Sequence, residues 1–174
     1  MSRKPSALGS SFVAHSKEMR ESVAWRYLPD DARRVLDRLE LEHMRHGGAD
    51  NGKLPCTYSD FATAGIRRAS VAEAIRQCVN LGFVIVTEAG GRSISSYRKP
   101  SLYGLTYVPG RGKSPTPTNG WKSIKTEGEA IDALARAKTE KRRSTQPPPG
   151  GAKIKKPDAP ARPGPDARAS LLRA

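Results

Sequence analysis

Apolar residues recur every three or four positions through the stretch that follows Pro29. Ala32, Val35, Leu36, Leu39 and Met44 share one side of a predicted helix, and Arg33, Arg34, Asp37, Arg38 and Glu42 occupy the other. Pro29 suits a first helical position, Asp30 and Asp31 complement the positive end of the helix dipole, and Gly47 with Gly48 stops it. The same spacing returns at Val71, Ala74, Ile75, Cys78 and Leu81, which predicts a second long helix running from Arg67 to Leu81 with Gly82 as its stop. Between the two, Asn51-Gly52 marks a turn, Leu54 to Cys56 a short strand, and Thr57-x-x-Asp60 a capping box with Asp in place of Glu. A short helix from about Ser59 to Ala64 should follow that box and end at Gly65.

The period changes at Phe83. The β-branched run Phe83 to Glu88 predicts a strand, and Leu102 to Val108 its antiparallel partner. The segment between them is too long for a tight hairpin and carries Arg92, Arg98 and Lys99. Upstream, Phe12, Val13, Met19, Val23, Trp25 and Leu28 are apolar enough to pack on the same core. Downstream, residues 109–126 have the Pro, Gly, Ser and Thr content of a linker, and residues 127–141 predict a short amphipathic helix with Ala130, Ile131, Leu134 and Ala137 as its stripe. The arm 1–11 and the basic, Pro-rich tail 142–174 are expected to be disordered, which leaves 12–108 as the folded domain. The fold class read from this pattern is α+β, mainly α: a three-helix core, a β-hairpin, then a C-terminal helix and tail.

A short helix, a Gly turn and a longer helix form a helix-turn-helix, in which the second helix enters the DNA major groove. The order helix, strand, helix, turn, helix and hairpin, carried by "IRRASVAEAIRQCVNLGFVIV", resembles the winged helix-turn-helix superfamily. It is especially similar to small replication-associated or regulatory proteins of bacterial plasmids, phages and integrated elements, over roughly Ala24 to Val108. Two positions depart from the common pattern: Arg67 stands where a Ser or Thr cap is usual, and Phe61 where a small Ala often packs. The resemblance implies that the hairpin is a wing.

Charge supports the same face independently. The chain carries a formal net charge of +14, which points to a polyanionic partner. Residues 64–113 hold eight cations and two anions, a net +6, whereas residues 12–63 hold eight cations and nine anions, a net −1. On the second helix the side opposite the apolar stripe carries Arg68, Ser70, Ala72, Glu73, Arg76 and Gln77, with Arg67 at its start. Arg and Gln suit guanine and adenine edges, and Ala72 is small enough to touch a thymine methyl. On the wing, Arg92, Arg98 and Lys99 are expected on phosphate or in the minor groove, and Tyr97 over a sugar. The tail from Lys141 has nine cations and two anions, enough to add non-specific affinity.

Other chemistry finds less in the residues. Cys56 and Cys78, the two cysteines, fit a reducing compartment, and no apolar run reaches the length of a membrane span, so a cytoplasmic protein is expected, and the resemblance implies a bacterial one that is nucleoid-associated when bound. His43 and His46 with those cysteines lack the spacing of a metal knuckle, and no phosphate-cradling loop, nucleophile elbow or paired carboxylate is present. No enzyme activity, cofactor or small-molecule ligand is therefore expected. Three functions fit: sequence-specific double-stranded DNA binding by a small transcriptional regulator or replication factor, charge-driven non-specific nucleic-acid binding, or a winged helix that binds protein. For a homodimer, the stripe of residues 127–141 is the candidate element, and a monomer fits equally.

Overall fold

A computed structural model describes residues 12–92, 98–110 and 116–145. Among the described residues the chain is α+β, with six α-helices, a three-stranded antiparallel sheet and a two-stranded extension of its hairpin. The arm 1–11 and the tail beyond 145 lie outside the described residues.

The stretch before Pro29 forms two short helices, α1 (Lys17–Glu21) and α2 (Val23–Arg26), because a serine caps each. Ser16 Oγ accepts from the Met19 amide at 3.1 Å, and Ser22 Oγ from the Trp25 amide at 3.2 Å. Met19, Ala24, Trp25 and Leu28 enter the core, but Phe12, expected there, is 54% exposed. Helix α3 (Asp30–Arg45) begins one residue after the extended Pro29, which serves as its cap residue. Ala32, Val35, Leu36 and Leu39 are buried as the periodicity requires, while His43 is buried in place of the half-buried Met44.

The next elements are β1 (Leu54–Cys56), α4 (Tyr58–Thr63) and α5 (Val71–Asn80). The capping box forms as read: Thr57 Oγ1 accepts from the Asp60 amide at 3.3 Å, and the Asp60 carboxylate accepts from the Thr57 amide at 2.7 Å. Helix α5 starts at Val71, four residues later than expected, because Arg67 to Ser70 close a turn first, with Ser70 N to Arg67 O at 2.7 Å. All three longer core segments end alike. The amides of Gly48, Ile66 and Phe83 reach back five residues to the carbonyls of His43, Phe61 and Cys78, and Gly65 (φ +90°) and Gly82 (φ +80°) supply the left-handed residue this ending needs.

The sheet comprises β1, β2 (Val84–Glu88) and a strand from Ser101 to Leu105, in the order β1, Ser101–Leu105, β2, so the last strand is central. Leu54 pairs with Tyr103 and Val84 with Leu105. Beyond an irregularity at Val86 to Glu88, the hairpin continues as β3 (Gly91–Arg92) and β4 (Arg98–Lys99), which makes the central strand β5. Strand β5 stops at Leu105 and not at Val108, although one further bond in its register follows, from the Thr106 amide to Phe83 O at 3.0 Å, and the Thr106 hydroxyl donates to Gly82 O at 2.7 Å.

The expected linker is partly structured. A 3-10 turn, Gly120–Ser123, lays Trp121 into the core at 3% exposure, against Gly82. A Cβ at Gly82 would stand 2.6 Å from the Trp121 nitrogen, so both the left-handed φ and this close approach require glycine there. Helix α6 (Glu127–Thr145) then runs four residues past the expected end at 141. Its Ala130, Ala133 and Ala137 are fully buried, so the apolar stripe proposed as a homodimer element packs within the chain, with Ile131 left 54% exposed and Ala133 in its place.

Candidate nucleic-acid interface

Helix α5 is carried on α3 and the sheet by Val71, Ala74, Ile75 and Cys78, all buried. That leaves two surfaces for the predicted DNA contacts: the turn into α5, and the helix side away from the core. The turn is open. Arg67 and Arg68 are exposed, with Arg68 Nη1 3.4 Å from Ser59 Oγ at the start of α4, and Ser70 sits half-buried at the helix cap without a capping side-chain bond.

The outer side of α5 is different from the sequence expectation, because α6 lies across part of it. Arg76 Nε donates to the Ala137 carbonyl of α6 at 2.8 Å, and Asn80 Nδ2 donates to the Ala133 carbonyl at 3.1 Å. Gln77, expected to face an adenine edge, is 8% exposed and its amide lies 3.4 Å from Glu73 Oε1. The expectation that Arg76 and Gln77 stand open to bases is thus corrected: the C-terminal helix, which sequence pattern treats as a separate unit, takes the Arg76 guanidinium, and Gln77 is buried. Ala72 and Glu73 are half-buried. Asn80 was not singled out from the sequence, although its place one turn after Arg76 on the same side was the available signal.

On the hairpin expected to be a wing, β3 and β4 set Arg92 opposite Arg98 and Gly91 opposite Lys99. Lys99 Nζ forms an ion pair with Glu88 of β2, an exposed pair across the hairpin. Tyr97 lies outside the described residues.

Behind the turn, a polar network joins α3 to α4. Arg38 reaches Glu42 at 2.7 Å and Asp60 at 3.8 Å, and Arg34 Nη1 donates to the Gly65 carbonyl at 3.0 Å. The Thr57 amide holds the Asp60 carboxyl below its ordinary pKa. Burial pushes Glu42 upward, but the Arg38 hydrogen bond, the Arg38 charge and His46 together outweigh it and leave its pKa lowered. These contacts orient the turn and do not present a reactive group.

The thiols are inert in this setting. Burial pushes Cys56 up to about 12 and raises Cys78 as well, so neither is a thiolate near neutrality. Among the described residues no three His, Cys, Asp or Glu side chains gather as a metal site. His46 is instead bonded to Glu42 at 3.2 Å and Asp50 at 3.0 Å. No described helix is long and apolar enough to cross a membrane.

No protein-family model matches the chain, and neither a curated protein nor a solved structure does.

Proposed function

We propose that residues 12–108 are a winged helix-turn-helix module that binds double-stranded DNA, with α4 and α5 as the helix-turn-helix and the β2–β5 hairpin as the wing. A bacterial or mobile-element regulator or replication factor is the setting that the sequence resemblance implies. The observation that carries the reading is the placement of charge: exposed Arg67 and Arg68 stand at the turn into α5, and Arg92, Arg98 and Lys99 lie on the hairpin that follows. The element order supports it, since β2, the first strand of the hairpin, follows α5 directly and contacts it. The scaffold around α3 carries no such excess.

A second reading, charge-driven binding without base readout, is favoured by the cover over Arg76 and Gln77, because the exposed turn cations are suited to phosphate. One experiment separates the two. The purified chain is mixed with a random-sequence duplex pool at two salt concentrations, with and without residues 146–174, and the retained DNA is sequenced. An enriched motif that survives tail removal supports sequence-specific binding; retention without enrichment, lost at higher salt, supports the second reading. No retention at low salt would sink both. Arg67→Ala with Arg68→Ala should lower the salt dependence of binding by about two phosphate contacts.

A further inference from the structure

Arg76 and Asn80 stand one turn apart on α5, and the two α6 carbonyls they reach, those of Ala137 and Ala133, are one turn apart in the opposite sense. The helices therefore run antiparallel across this contact. Each carbonyl lies inside a helix and offers its remaining lone pair to a side-chain donor. An array of acceptor atoms facing an arginine and an asparagine is also what the major groove presents, as guanine O6 and N7, thymine O4 and adenine N7. We infer that Arg76 and Asn80 are a base-reading pair held in reserve by α6, and that α6 and duplex DNA compete for one face of α5. This rests on the DNA-binding reading above and deepens it: α6 must leave before that face can read sequence.

The apolar part of this hold is small. Among the described side chains of α6 the fully buried ones are the methyl groups of Ala130, Ala133 and Ala137, while Leu134 is partly buried and Ile131 largely exposed. Alanine removes little apolar area from water, so the hold per residue is small. Upstream, the buried Trp121 anchors the chain independently, and Thr126 with Glu129 caps α6 as a separate unit: the Glu129 carboxylate accepts from the Lys125 amide at 2.7 Å. Release of α6 from Arg76 and Asn80 thus leaves the Trp121 anchor in place.

Hydrogen exchange on the full chain, alone and saturated with the random-sequence duplex pool at low salt, reads this competition. The amides of residues 131–139 should exchange roughly tenfold faster when duplex is bound, while those of α3 stay protected. Unchanged or increased α6 protection in a duplex-bound protein overturns the inference and leaves DNA binding standing. Independently, Ala133→Leu, oversized at a fully buried contact, should bind the pool roughly tenfold more tightly than the wild type. Asn80→Ala, placed in the Ala133→Leu background, should remove part of that gain. Equal affinity of folded Ala133→Leu and wild type also overturns the inference, and the exchange measurement decides alone if that variant does not fold. Absence of duplex binding in every protein removes the underlying DNA reading together with the inference.

Discussion

Asn51 ties the turn before β1 to the far end of the central strand. Its Oδ1 accepts from the Leu105 amide at 2.7 Å, and its Nδ2 donates to the carbonyls of Leu105 at 2.9 Å and Val108 at 2.7 Å. Asn51→Ala should cost about 2–4 kcal/mol, because it removes three bonds and strands main-chain groups under cover. Urea unfolding checks this, and a loss near zero would show that water replaces the amide. From the sequence Asn51 read only as a turn former, since its partners lie more than fifty residues away. The ionisable residues make a pH prediction whose sign differs by group. Asp60 and Glu42 have lowered pKa values, so their contribution is present above the ordinary values of 3.8 and 4.5 and is lost as pH falls through the folded ones. His46 is raised, first by its Asp50 hydrogen bond, so its contribution is full below 6.5 and is lost as pH rises through the folded value. Burial lowers His43, so its effect has the opposite sign and lies below 6.5, where stability is lost as pH falls towards the folded value. Asp60→Asn should therefore flatten the acid-side fall in denaturation midpoint, and His46→Ala the loss above pH 6.5. A wild-type-like profile in both variants would rule the network out as the source.

Among the elements, the hairpin carries an ion pair that bears on the proposed contact. Lys99 is paired with Glu88 across it, so under the proposed function part of its charge is already compensated before it meets a phosphate. Glu88→Gln should raise duplex affinity and increase the salt slope by about one, which a titration at several salt concentrations measures. An unchanged slope would place Lys99 away from phosphate. Strand β2, α4 with its capping box and the strand at Leu54–Cys56 were legible in the sequence, because each has a local cause: β-branching, a cap or a turn. Strands β3 and β4 were not. Gly91, Arg92, Arg98 and Lys99 have no strong strand preference, and their pairing is imposed by the strands they extend. The start of α5 is not legible for a similar reason, since Arg67 to Ser70 are acceptable helix residues that instead close a turn of their own.

Across the whole molecule, Trp121 joins a segment of linker composition to the core. Trp121→Ala should destabilise the fold by about 3–5 kcal/mol and open residues 116–126 to limited proteolysis; wild-type resistance to protease would show that the anchor lies elsewhere. The sequence by itself determined the helices with periodic apolar faces, their glycine ends, the main strands and the concentration of positive charge between Ala64 and Lys113. Those features arise from interactions within a few residues or from composition, and both can be read along a chain. The tertiary structure alone decided that α6 lies on α5, that Arg76 and Asn80 hold its carbonyls, and that Gln77 is covered. The reason is physical: an alanine stripe carries too little hydrophobic signal to name its partner, and which polar face it covers depends on how the chain returns after Trp121 anchors at Gly82.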